Sequence, residues 1–164
     1  EAKANQALWN RLARVWLDQF MVNVKPFPQV NELLDRLQKG GIGCGLISNG
    51  VGKWQRLKLT ALGIDGYFAE ENLFFSDEQG LAKPEAGIFQ LALDSCALTA
   101  SEVIFVGDSP VTDVPGALAV GLTMIWLNRY ELTSPNVGNL PGQLFQVESF
   151  SQAAKLINRL LFWN

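Results

Sequence analysis

Asp108 and Asp113 stand directly after a short apolar run, Val103, Ile104, Phe105 and Val106, from which the chain breaks sharply at Gly107-Asp108-Ser109. Such a run reads as a strand buried on both faces. Pro115 then opens a helix that Gly121 closes, so the two carboxylates fall just past the carboxyl end of a strand, where open parallel α/β sheets place their ligands. Two acids so close repel unless a cation lies between them, and Mg2+, which takes hard oxygen ligands and keeps several waters, suits that position. The plain alternative is that both are turn and cap residues, a use Asp favours for its local hydrogen bonds.

Three further polar residues fall at comparable points. Ser48 and Asn49 follow an apolar, Gly-rich strand predicted over Ile42 to Ile47 and precede a helix beginning near Val51. A hydroxyl and backbone N–H groups at a helix N-terminus can hold a phosphate oxygen, although a helix cap or an Asn-Gly turn accounts for the same residues. Lys83 precedes Pro84, which fits the first position of a helix predicted over Glu85 to Ala97. That places a positive charge at the positive end of a helix dipole, unfavourable unless an anion is near. A solvated loop lysine is the alternative. Together, a hydroxyl, a lysine and two carboxylates converging at one sheet edge make a phosphate and Mg2+ site: donors for the oxygens, a cation for the charge, acids for the metal.

The elements that must position these residues alternate between strand and helix. A helix over residues 4 to 20 groups Leu8, Leu12, Val15, Trp16, Gln19 and Phe20, and a connector with Pro26 and Pro28 follows. Next come a helix with Val30, Leu33, Leu34 and Leu37 inward, the strand before Ser48, and a helix burying Val51, Trp54, Leu57, Ala61 and Leu62 that stops at Gly63. A short strand is expected within Phe68 to Ser76, further strands over Thr123 to Leu127 and Gln143 to Val147, and a last helix capped by Ser149. The connections are too long for hairpins, so the expected fold is α/β, a doubly wound, Rossmann-like parallel sheet.

Composition narrows the functions. A chain of 164 residues with 48% hydrophobic residues buries an ordinary core, so one domain is the default. A net charge of −3 without a basic stripe argues against nucleic acid, and no apolar run approaches the length of a membrane span. There is no histidine, which excludes His-based triads and leaves carboxylate, hydroxyl and lysine chemistry. Cys44 and Cys96 read as free, buried thiols of a reducing cytoplasm.

The segments LISNG, GLAKPEAGIF and GDSPVTD resemble, in order, the second, third and fourth motifs of the haloacid dehalogenase-like hydrolases. The resemblance runs from about Pro26 to the end. It implies that Ser48 and Asn49 bind phosphate, that Lys83 stabilises charge, that Asp108 is a direct Mg2+ ligand, and that Asp113 is a ligand through water or a partner of Lys83. It also divides the chain into residues 1–22, similar to the end of a small C1-type helical cap, and residues 23–164, a core lacking its first strand. The family's first motif, Asp-x-Asp, which supplies the nucleophile, does not occur; Asp18 and Asp35 lie in helical patterns. The expectation is therefore the C-terminal portion of a Mg2+-dependent phosphomonoester hydrolase, nearly inactive as it stands, whose intact form forms an aspartyl-phosphate and acts on a small phosphorylated metabolite such as a nucleotide or sugar phosphate. GLTMIWLN and ISNG are similar to the branch containing nucleotide 5′-phosphatases. The alternatives are a non-catalytic domain that binds a ligand or partner, and a 2-haloacid dehalogenase, to which Ser-Asn-Gly also corresponds.

Overall fold

A computed structural model describes residues 19–162 together with Leu8, Arg11, Leu12 and Val15. Residues 19–23 are helical, and a linker leads to α1 (Val30–Lys39), which buries Leu33, Leu34 and Leu37. Then follow β1 (Leu46–Ser48), α2 (Gly52–Leu62), two 3₁₀ turns, β2 (Leu73–Phe75), the single-turn α3 (Ser76–Gln79) and α4 (Ala86–Ser95). The chain ends in β3 (Ile104–Gly107), α5 (Asp113–Ala119), β4 (Thr123–Leu127), β5 (Gln143–Val147) and α6 (Phe150–Phe162).

Every strand pair is parallel, but the described strands form two pieces. β1 pairs with β2, from Leu46 opposite Leu73 to Ser48 opposite Phe75. Separately, β3 pairs with β4, placing Gly107 opposite Trp126, and β4 pairs with β5. The two pieces share a core on one face through Ile47 of β1 and Phe105 of β3, while Leu46 of β1 packs into a separate core with Leu34, Leu59 and Phe75. Ile47 and Phe105 both lie on a core built by Ile88, Phe89 and Leu93 of α4, Val114 and Leu118 of α5, and Met124 and Trp126 of β4. Cys44, Ile104 and Val106 lie on the opposite one, where Leu33 and Leu37 of α1 meet Ile125 and Leu127 of β4 and Ala153 and Ile157 of α6. Alternate residues of β4 thus feed opposite faces, the period-two signature of a strand covered on both sides. Between β1 and β3 no strand lies among the described residues.

Burial follows that gap. All residues of β1 and all of β3 are half-exposed, whereas all of β2 and four of the five residues of β4 are buried. The expected full burial of Val103 to Val106 is therefore corrected: among the described residues this strand has a neighbour on one edge only.

Other expectations also need correction. β1 and β2 are shorter than the apolar runs predict, Ile42 to Gly45 being irregular and the segment before Leu73 wound into 3₁₀ turns at Asp65–Tyr67 and Glu70–Asn72. α2 stops at Gly63 as expected, but Val51, Trp54 and Leu57 face outward and Leu59 faces in. The inward stripe contains Arg56, whose guanidinium stacks on the Phe75 ring at 4.7 Å and pairs with Glu70 and Glu78. A charged residue on the buried side defeats an apolar-periodicity reading. Leu8, Leu12 and Val15 are exposed, and Trp16 and Asp18 lie outside the described residues. Asp35 accepts a hydrogen bond from the Tyr67 hydroxyl at 2.6 Å.

The linker is fastened by rings. Phe27 stacks on Phe150 with centroids 5.9 Å apart, and the Arg129 guanidinium lies 4.6 Å from the Phe27 centroid and 5.0 Å from that of Tyr130. Arg129 owes its place to the buried Asn128, whose amide bonds both the N–H and the C=O of Leu132 at 2.8 Å.

Candidate active site

The turn after β3 is built around Asp113, the first residue of α5. Its Oδ2 accepts the backbone N–H of Asp108 at 3.0 Å and of Ser109 at 2.9 Å, folding residues 107–109 back over the helix N-terminus. The carboxylate approaches so closely that a Cβ on Gly107 would lie 2.5 Å from Oδ2, so only glycine fits there. Asp113 Oδ1 pairs with Lys83 Nζ at 2.6 Å, with the side chains 4% and 13% exposed. Both oxygens of Asp113 are thereby engaged, which supports its use as the partner of Lys83 rather than as an open ligand. The helix begins at Asp113 itself, two residues earlier than Pro115 predicts.

Asp108 is held differently. Its N–H is bonded to Asp113, and its carbonyl accepts the indole N–H of the fully buried Trp126 at 3.1 Å. Its carboxylate is exposed and has no hydrogen-bond or ion-pair partner among the described residues. A rigid peptide carrying a free acid at the carboxyl end of a parallel strand could supply one ligand to a hard cation. Among the described residues no group of three acidic, Cys or His side chains completes a metal site; Mg2+ characteristically takes only one or two carboxylates, the rest of its shell being water and substrate phosphate.

Lys83 does not occupy the helix cap. The N-cap of α4 is Glu85, and the Lys83-Pro84 peptide, which is cis, precedes it. The dipole argument for an anion beside Lys83 therefore fails, and its ammonium is accounted for by Asp113 and by the Phe105 ring 5.7 Å away. The Lys83 backbone is tied to Asn49: Nδ2 donates to the Lys83 carbonyl at 2.9 Å, and Oδ1 accepts the Lys83 N–H at 2.8 Å. The Asn49 side chain, expected to bind phosphate, is thus engaged by the protein. The Ser48 hydroxyl makes only a 3.5 Å contact with the Asn49 carbonyl, too long to hold it firmly, and remains available.

Residues from the end of β2, which the sequence reading did not single out, support this loop. Ser76 Oγ accepts the N–H of Gly50 at 2.8 Å, and Asp77 Oδ1 accepts that of Gly52 at 2.9 Å. Asp77 thereby caps α2 from another element, since the N-cap Val51 has no side-chain acceptor. Gly50 has φ of 127°, a conformation open to glycine. Ser76 and Asp77 follow an apolar strand just as Ser48 and Asp108 do, a signal that was present; the role of Trp126 had none, because a buried indole reads as core.

The family model described as haloacid dehalogenase-like hydrolase matches residues 1–127. The chain belongs to this family. Among its relatives is a pyrimidine 5′-nucleotidase of Escherichia coli, 32% identical over 134 residues that cover 81% of this chain and 55% of the relative. A phosphoserine phosphatase of Thermus thermophilus is 32% identical over 103 residues, 63% of this chain and 41% of that protein. Among solved structures, a 2-haloacid dehalogenase from Pseudomonas syringae superposes with a TM-score of 0.75 at 28% identity, covering 98% of this chain and 64% of that one. This haloacid dehalogenase-like chain thus spans about half the length of the two curated relatives. Among its described residues no helix is long and apolar enough to cross a membrane.

Proposed function

We propose that residues 23–164 are the greater part of the core of a Mg2+-dependent phosphomonoester hydrolase, and residues 1–22 the end of its helical cap. The observation that carries this reading is the pairing of Lys83 with Asp113 at 2.6 Å beside the carboxylate of Asp108, which has no partner among the described residues. Lys83 and the Ser48 hydroxyl would donate to the phosphate oxygens, and Asp113 would keep Lys83 charged and aimed. Asp108 would hold Mg2+, with Asp113 acting through water or through Lys83, and the chemistry such an ion would supply is neutralisation of charge on the transferring group.

The nucleophile belongs to a strand between β1 and β3. Both bordering strands are parallel to their neighbours and half-exposed, as an added central strand would require. An aspartate at its carboxyl end would stand between Ser48 and Asp108, attack phosphorus in line as the alcohol leaves, and form an aspartyl-phosphate that water hydrolyses. Without that residue the chain is nearly inactive. The substrate is a small phosphorylated metabolite; the nucleotidase relative brings nucleoside monophosphates forward as a first panel. The two free thiols, Cys44 and Cys96, suit the cytoplasm.

The open Asp108 favours phosphoryl transfer over dehalogenation, which needs no cation. The test is to read the coding sequence upstream of Glu1 for Asp-x-Asp and to assay the extended product on p-nitrophenyl phosphate and 2-chloropropionate, with and without Mg2+. Mg2+-dependent phosphate release is expected. Halide release independent of Mg2+ would establish the dehalogenase reading instead, and turnover of neither would leave a non-catalytic binding domain.

A further inference from the structure

The two sheet pieces share no ladder, yet the site draws Ser48 and Asn49 from one and Asp108 from the other. One side chain begins the link between them. The Asn49 amide offers a donor and an acceptor side by side, as the edge of a strand does, and pairs with both polar atoms of the Lys83 peptide at 2.9 and 2.8 Å. Neither of those backbone atoms has another partner among the described residues. Asn49 is itself steadied on both sides. Its carbonyl accepts from Gln55 Nε2 at 3.2 Å, and the next N–H, that of Gly50, is held by Ser76 Oγ. A continuous polar path therefore runs from Ser76 through Gly50 and Asn49 to Lys83, and from Lys83 Nζ through Asp113 to the turn at Asp108 and Ser109.

We propose that Asn49 is a positioning residue for Lys83. It fixes the peptide from which the lysine reaches Asp113, so that the ammonium sits at the site before any anion arrives, and it does this instead of touching the phosphate with its side chain. This rests on the phosphate-site reading above.

The test uses the chain as it stands and inorganic phosphate as the probe, with Asn49→Ala, Lys83→Ala and the double variant followed by NMR titration. Lys83→Ala is expected to weaken phosphate binding, and Asn49→Ala to weaken it about fivefold, on the scale of coupling between residues in contact. In the Lys83→Ala background, Asn49→Ala should have no further effect. An equal loss in both backgrounds would show that Asn49 acts independently of Lys83 and would overturn the proposal. The Nζ–Hζ signal of Lys83 gives a readout that general destabilisation would not move. It is expected in the wild type, lost in Asn49→Ala, and retained in part in Asn49→Asp, which keeps the acceptor for the Lys83 N–H; an unchanged signal in Asn49→Ala would also overturn the proposal. Should Lys83→Ala bind phosphate as tightly as the wild type, the phosphate-site reading fails, and this signal alone decides the role of Asn49.

Discussion

The strands that end in the site are less covered than the strands behind them. β1 and β3, which deliver Ser48 and Asp108, are half-exposed throughout, while β2 is wholly and β4 almost wholly buried. In a doubly wound sheet the central strands are normally the best covered, since helices pack on both faces and strands on both edges. Here the order is inverted around one gap. β4 is held by ladders and by alternating side chains in two cores; the two sides of the gap are joined at the site by side-chain hydrogen bonds and one ion pair. The polar groups of the candidate site also connect the two pieces.

The largest effect is expected of Asp113→Ala. It strips the Lys83 ammonium of its partner and two N–H groups of their acceptor, and removing one member of a buried pair costs about 3 to 5 kcal/mol. Urea unfolding should register that loss; a change within measurement error would mean that the pair does not join the pieces. A smaller effect is expected of Trp126→Phe, which keeps a ring in the core of β4 but leaves the Asp108 carbonyl without its donor, at about 2 kcal/mol. Its loss should fall on Mg2+ affinity as well as stability, because the turn carrying Asp108 loosens.

The smallest effect lies at the rim of the β1–β2 piece. Hydrogen bonds from Arg56 hold the Glu78 carboxyl below its ordinary value of 4.5. A depressed carboxyl contributes stability that is fully present above its unfolded value and lost as pH falls through the folded one. The unfolding midpoint should therefore drop below about pH 4.5, and Glu78→Gln should flatten that part of the profile. An unaltered profile would show that the Arg56 network does not steady this piece.

Much of this was legible in the sequence, for identifiable reasons. β4, β5 and α6 fell where apolar runs, Gly and the Ser149 cap predict them, Ser149 Oγ accepting the Gln152 N–H at 3.3 Å. Ser48 and Asp108 were legible because each stands at the carboxyl end of a parallel strand, whereas Lys83 stands in a loop between two helices and is brought in by Asn49 and Asp113. Apolar periodicity misplaces the faces of α2 because the side chain that covers the buried Phe75 ring is the charged, half-buried Arg56. Pro84 predicts a cap at Lys83, whereas the helix starts after Glu85. The Asn49 to Lys83 bonds span 34 residues and the Trp126 to Asp108 bond 18, and pairings of that kind leave no local pattern to read.

In the proposed site, Asp108 is the open ligand of a cation that works together with phosphate. Phosphate binding to the chain, measured by calorimetry with and without Mg2+, tests it most directly. Mg2+ is expected to tighten phosphate binding in the wild type and to have no effect in Asp108→Asn, with the fold of the variant unchanged by circular dichroism. Equal tightening by Mg2+ in both proteins would contradict it and remove Asp108 from the site.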